Sequence, residues 1–279
     1  MQPAIFADPQ RERFYETPPR DAAPERRTWY ARGQNFLVEY NEVKASAVLE
    51  RASQPDEYSV VLPDADTSVE VETSNEKKIV SGFSLCFIPP GRSKVTVPTG
   101  GRIVRVFTTK SDDLVAKCSN ASAYADRHPN IPPFEGLPLP LGGFHIRSYS
   151  LDVPPREGRV GRIFACTTLM INFANPRMGP ANETTKLSPH SHDDFEQGTL
   201  ILDGSFTHHL RWPWTSKKGA WRDDEHTYFG APSLVVIPAG VIHCSEPLGE
   251  KANQFLDVWS PPRLDYFDRG HVLNAADYR

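Results

Sequence analysis

An eight-residue pattern occurs twice in this chain. Residues 84–91 read SLCFIPPG and residues 233–240 read SLVVIPAG, with Ser, Leu, Ile, Pro and Gly at identical positions. Upstream of each copy lies a comparable apolar run, EYSVVLPD at 57–64 and QGTLILDG at 197–204. A two-copy pattern of this kind predicts two similar β units in tandem. The surroundings agree. NFLVEY, KVTV and RIVRVF in the first half, and RIFACTTLMINF, SFTHHLRW and QFLDVW in the second, are short runs rich in β-branched and aromatic residues. With 26 prolines and 18 glycines in 279 residues, long helices have little room. The chain is expected to be all-β.

The expected organisation is an N-terminal arm over 1–30, a first β barrel over 31–112, a Pro/Gly-rich connector over 113–155, a second barrel over 156–262 and a tail over 263–279. The net charge of −4 and the absence of a basic stripe argue against nucleic acid as the main partner. No apolar run approaches the ~20 residues of a membrane-spanning helix, and the N-terminus lacks the apolar stretch of a secretory signal. Four scattered cysteines with no CxxC argue against a disulfide framework and suit a reducing cytoplasm.

Seven of the nine histidines follow residue 189, so histidine chemistry belongs to the second unit. In SPHSHDDFEQGTLILDG (188–204), His190 and His192 stand two residues apart, which on a strand puts both imidazoles on one face. His243 follows the IPAG turn, where Pro238 and Gly240 tighten the chain. If these segments are neighbours, three imidazoles converge and make most of a metal site. A carboxylate or amide at 196–197 is the expected fourth donor. Adjacent strand residues face opposite ways, so only one of Glu196 and Gln197 points inward. Gln197 is preferred because its distance from Gly204 keeps the strand register, and Glu196 stays as the alternative.

The pattern His190, His192, Glu196 or Gln197, Gly204, followed by Gly230, Pro238, Gly240 and His243, resembles the two motifs of the cupin superfamily. It departs from them in the position of Gly230 and in lacking an Asn after His243. The repeat extends the resemblance to a bicupin: two tandem cupin (jelly-roll) barrels, with metal ligands in the second alone. In the first copy Lys94 stands for His243, Glu57 for Gln197 and Ala52 for His192, so that barrel is expected to be structural.

The resemblance implies one divalent metal ion, Fe, Mn, Ni or Zn, held by His190, His192, His243 and Gln197. A neutral amide in place of a carboxylate would make that ion the stronger Lewis acid. Glu196 or Asp257 is the expected proton shuttle. Arg211, Trp212, Trp214 and His209 are the expected substrate contacts, with RWPWTSKKGAW (211–221) either a surface hairpin or a lid. Arg263 is a further candidate partner for an anionic substrate. His226 is read as a surface loop residue, and Cys244 as pointing away from the metal. Three functions follow from the resemblance. The first is a mononuclear Fe or Mn dioxygenase acting on a small organic substrate. The alternatives are a non-redox isomerase, decarboxylase or hydrolase of a small oxygen-rich acid or sugar, and a metal-assisted binding or sensor protein. A cytoplasmic homodimer is the expected state.

Overall fold

The computed structural model describes residues 6–131, 133–154 and 161–279. In chain order the first strands are β1 (Gln10–Arg13), β2 (Asp21–Ala23), β3 (Arg26–Arg32), β4 (Phe36–Val43), β5 (Ala47–Gln54), β6 (Tyr58–Leu62), β7 (Val69–Thr73), β8 (Lys77–Val80), β9 (Ser84–Ile88), β10 (Gly91–Val97), β11 (Gly101–Thr108) and β12 (Arg147–Ser150). They are followed by β13 (Gly161–Ala165), β14 (Met170–Ala174), β15 (Arg177–Met178), β16 (Gln197–Asp203), β17 (Ser205–Arg211), β18 (Glu225–Gly230), β19 (Ser233–Ile237), β20 (Ile242–Pro247) and β21 (Ala252–Trp259). Among the described residues, helix is confined to short pieces such as α1 (Asp112–Val115) and α2 (Leu264–Asp268).

The strands form two barrels, each a large sheet facing a small one. The first pairs the order β12-β9-β6-β11-β4-β3-β2 with β5-β10-β7-β8. The second pairs β1-β19-β16-β21-β14-β13 with β18-β17-β20, and β15 lies against β21. All named strand pairings are antiparallel, as expected for jelly rolls.

The two large sheets pack face to face. In β4, Leu37 and Val43 face the interior of their own barrel, while Phe36, Val38 and Tyr40 face the other barrel. In β16, Ile201 faces inward, while Leu200 and Leu202 join the layer between the barrels. Both faces of these strands are buried, which is why they read as continuous apolar runs rather than alternating ones. At the contact Phe36 lies over Gly198, where a Cβ would stand 2.7 Å from the ring. Glu57 also joins the barrels. Its carboxylate accepts from the Thr167 backbone N–H at 2.9 Å, Thr167 Oγ1 at 2.7 Å and Tyr278 Oη at 3.0 Å.

The described part of segment 1–30 is therefore not a free arm. β1 pairs with β19 of the second barrel, and β3 is a buried strand of the first. The connector behaves reciprocally: β12, which leads into the second barrel, pairs with β9 of the first. β9 and β19 are the two repeat strands, and each gains its outer neighbour from the segment that enters the opposite barrel. The physical reason is edge protection, since an unpaired strand edge invites intermolecular pairing. The expected boundary at 155–156 lies outside the described residues.

Register also revises the alignment of the two copies. Tyr58 stands opposite Ile88, and Gln197 stands opposite Ile237. Because Ile88 and Ile237 coincide in the repeat, the counterpart of Gln197 is Tyr58, and Glu57 corresponds to Glu196. Lys94 does not take the place of His243. A register shift between Gly91 and Ser93 turns Ser93 inward, where its hydroxyl bonds Tyr58 Oη at 2.9 Å. Lys94 is left outside, between Glu50 and Glu72 on the flanking strands. Deeper in the first barrel, Arg105 and Glu39 form a buried ion pair at 2.7 Å. The same register places Asp257 and Asn172 at those two positions of the second barrel.

The Phe36–Gly198 contact makes a coupled prediction. Phe36→Ala is expected to cost about 3–5 kcal/mol of stability. Gly198→Ala, which overpacks the ring, is expected to cost about 1–3 kcal/mol. Removing the ring relieves the overpacking, so the double variant should be clearly less destabilised than the sum of the two. Denaturant midpoints of the four proteins measure this, and simple additivity would contradict the contact.

Candidate metal centre

The segment before β16 lies along β20 and is held there by backbone bonds. His190 N–H donates to His243 O at 3.1 Å, and His243 N–H donates to His190 O at 2.8 Å. Gly240, with φ of +79°, turns the chain into β20, and its N–H donates to His192 O at 2.6 Å. A positive φ here favours glycine, so the PxG turn both starts β20 and fastens the His-x-His segment to it.

The three imidazoles converge. Ring centroids are 4.4 Å apart for His190–His243, 4.8 Å for His190–His192 and 5.3 Å for His192–His243. One donor nitrogen from each lies within 4.8 Å of the others. Backbone carbonyls fix two of the tautomers. His190 Nδ1 donates to Ser188 O at 2.7 Å, and His243 Nδ1 donates to Val241 O at 2.9 Å. The Nε2 lone pairs are left free for a ligand, a familiar arrangement for metal-binding histidines. His243 Nε2 is buried with no hydrogen-bond partner, which an ion coordinated there would remedy. Burial pushes His192 down to about 3 and His243 to about 4, so both stay neutral across physiological pH, as ligation requires.

Gln197 and Glu196 face opposite ways. Gln197 Oε1 lies 3.1 Å from His192 Nε2, while its amide N–H groups donate to Thr199 Oγ1 and Asp257 Oδ1, both at 3.1 Å. The amide oxygen is thereby presented to the imidazoles. Glu196 points into the layer between the barrels, accepting from Gln34 N–H at 2.6 Å and Tyr124 Oη at 2.9 Å. It does not reach the histidines, so a proton-shuttle role at this centre does not suit it. Its burial pushes the carboxyl up to about 7.

Asp257 is raised to about 7 by burial and lies behind Gln197. Its oxygens accept from Asn172 Nδ2 at 3.1 Å, Thr199 Oγ1 at 2.8 Å and Gln197 Nε2. These bonds orient the amide, so the geometry makes Asp257 a positioning residue rather than a shuttle.

Of the expected substrate contacts, Arg211 and His209 line a cleft of about 180 Å³ that His243 also lines, while Trp212 and Trp214 do not. Arg211 is exposed and chelates Asp224 at 2.6 and 2.9 Å. Trp214 is 79% exposed and stacks on Trp221 with centroids 4.9 Å apart. Trp212 is buried in the core of the second barrel, where its Nε1–H donates to Glu225 at 3.1 Å. His209 faces outward, because the strand alternation of β17 turns Phe206, His208 and Leu210 inward instead. His226 belongs to strand β18 and not to a loop.

Two further inward residues lie outside the expected ligand set. His208 is buried and pushed down to about 3 by burial, with Nδ1 at 2.9 Å from Ser245 Oγ and Nε2 unpartnered. Its phase with Phe206 and Leu210 is the clue that identifies it. Arg263, just beyond β21, is buried beside the centre. Its Nη1 lies 3.1 Å from His192 Nδ1 and 3.4 Å from His192 Nε2, Nε and Nη2 hold Asp265 at 3.1 and 2.9 Å, and the Tyr266 ring lies 3.9 Å from the guanidinium.

No protein-family model and no curated protein matches the chain by sequence. Its fold does match solved structures. An oxalate decarboxylase analysed for its substrate binding mode aligns over 92% of this chain and 78% of its own, with 13% identity and a TM-score of 0.61. A Bacillus subtilis oxalate decarboxylase studied for its Mn(II) centres gives the same coverage, identity and score. The Lactobacillus farciminis oxalate decarboxylase in complex with formate aligns over 91% and 86%, with 15% identity and a TM-score of 0.59. The fold is that of tandem cupin barrels. At these identities the likeness extends to architecture alone.

Two outcomes test the centre. His243→Ala should reduce bound metal from about one equivalent per chain to almost none by plasma mass spectrometry, and Gln197→Ala should weaken metal affinity by roughly 10-fold or more while Glu196→Ala leaves it nearly unchanged. The second concerns pH. Glu196 has its folded pKa raised, so its contribution is present at low pH and is lost as pH rises from about 4.5 through about 7. Metal-stripped protein should lose stability over that window, and Glu196→Gln should flatten the loss by an amount on the order of 3 kcal/mol. An unchanged pH slope would contradict the buried carboxyl.

Proposed function

We propose that the second barrel holds one divalent metal ion through His190, His192 and His243, with Gln197 as fourth donor. We further propose that the chain is a metal-dependent enzyme that transforms a small oxygen-rich carboxylic acid without net oxidation. The observation that carries the metal is the pair of carbonyl-fixed imidazoles with their Nε2 atoms turned to a common point, one of them buried and unpartnered. The substrate class rests on Arg263, a buried guanidinium with Nη1 directed at the histidine cluster. A cation so placed suits a carboxylate, which it binds with charge-assisted hydrogen bonds.

A divalent ion in this ligand set supplies Lewis acidity toward a substrate carboxylate or an enediolate. The protein's own part is to hold and orient. Arg263 binds the carboxylate, while Asp265 and the Tyr266 ring keep its guanidinium in place. Asp257 and Thr199 hold Gln197 with its oxygen toward the histidines. Trp259, 6.3 Å from His192, helps to exclude water from one side.

The likeness to oxalate decarboxylases favours a lyase-type reaction over the dioxygenase reading. The test is a panel of small dicarboxylic and oxo acids, offered to metal-loaded protein with carbon dioxide and oxygen followed together. Carbon dioxide release without net oxygen consumption supports the reading. Stoichiometric oxygen uptake would favour the dioxygenase, and saturable binding without product a binding protein. Arg263→Ala should raise KM for the turned-over acid about 10- to 100-fold, with metal content retained. An unaltered KM would remove Arg263 from the substrate site.

A further inference from the structure

A polar atom left without a partner in a packed interior marks a place where something else belongs. Inside the second barrel one such atom is His208 Nε2, on a residue outside the ligand set. His208 shares the inward face of β17 with Phe206 and Leu210. It stands opposite Ser245 on β20, and Leu210 stands opposite His243. His208 and His243 are therefore diagonal neighbours on one face of the small sheet, about 7–8 Å apart, a separation that aromatic side chains can bridge.

Two contacts hold the ring. Ser245 Oγ lies 2.9 Å from Nδ1, and the Phe229 ring packs edge-on with centroids 5.4 Å apart. Burial, with His243 nearby, pushes the imidazole down to about 3, so it is neutral at physiological pH. A buried ring fixed at one nitrogen and unmet at the other is costly unless a ligand completes it. His208 and Arg263 reach the histidine cluster from different sides. Arg263 follows β21 of the large sheet and lies against His192, whereas His208 belongs to the small sheet that faces it.

We propose that His208 Nε2–H donates to a second oxygen function of the acid whose carboxylate Arg263 binds, so that the barrel selects hydroxy, oxo or dicarboxylic acids over simple monocarboxylic ones. The inference rests on the carboxylate site proposed above. In the complementary tautomer Ser245 Oγ–H donates to His208 Nδ1, and the Nε2 proton meets an acceptor oxygen of the substrate. Ser245 is a positioning residue, and His208 reads the ligand.

The test is calorimetric titration of zinc-loaded, full-length protein with acetate, glycolate, pyruvate and malonate. At least one two-function acid should bind about 10-fold or more tightly than acetate. His208→Leu should cut that preference to within about 3-fold and leave acetate affinity unchanged, while His208→Gln, which returns a donor N–H, should restore part of it. Leucine replaces an unmet imidazole with an apolar group of similar size, so His208→Leu should unfold at an equal or higher denaturant midpoint. A lower midpoint with the preference intact marks a structural histidine and overturns the proposal. If His208→Leu does not fold, the unaltered protein carries the test. Its His208 Nε2 nitrogen resonance, identified by its loss in His208→Gln, should move with the preferred acid and stay with acetate; a resonance that stays with both overturns the contact. Arg263-dependent acetate binding without any preference, or with one that survives His208→Leu, removes His208 but keeps the carboxylate site. Failure of every acid to bind removes both.

Discussion

The face-to-face packing of the two large sheets sets the constraint on which the rest of the molecule depends. Once Phe36 rests on Gly198, the phase of β16 is settled, because side chains along a strand alternate. Gly198, Leu200 and Leu202 must face the first barrel, so Gln197, Thr199 and Ile201 must face the interior of the second. The choice between an amide and a carboxylate at the histidine cluster is thus made at an apolar contact between barrels. Glu196, on the same side as Gly198, is carried into that layer and spends its hydrogen-bonding capacity on Gln34 and Tyr124.

The same alternation explains what could be read from the sequence. The repeat strands, the all-β architecture and the shared face of His190 and His192 rest on local spacing, which is visible in a linear chain, whereas the approach of His243 is implied by the motif resemblance. Glu57 does not correspond to Gln197, because that position lies far from the repeated octet and a one-residue slip reverses every face. Lys94 was misplaced by an irregularity between Gly91 and Ser93 that no residue type announces. Arg263 lies beyond the motif altogether and reaches His192 only because the chain folds back after β21. Trp214 drew attention through its aromatic composition, yet composition does not say which way a loop side chain turns.

The two interiors show one scaffold used in two ways. Where the second barrel places Gln197, Asp257 and Asn172, the first places Tyr58, Arg105 and Glu39. In the first, the polar groups are closed on one another, Tyr58 with Ser93 and Arg105 with Glu39. Such a core is closed on itself apart from Arg105 Nη1 and Ser59 Oγ, which are buried without partners. In the second, the network of Asn172, Asp257 and Thr199 ends on an amide oxygen and three imidazoles, and unmet hydrogen-bonding capacity is left at His243 and His208. An incomplete polar network of this kind marks a ligand site better than any single residue does.

The exchange of edge strands has a consequence for the order of assembly. β1 precedes every strand of the first barrel in sequence, yet its partner, β19, belongs to the second. The sheet of the histidine barrel therefore closes only when a strand from before the first barrel has met β19. β12 leaves its partner β9 waiting for a much shorter time. The first barrel is a platform that can be sealed early, and the second is the slow, high-contact-order part of the molecule. The histidine cluster thus sits in the half whose large sheet needs a strand from the far side of the first barrel in sequence.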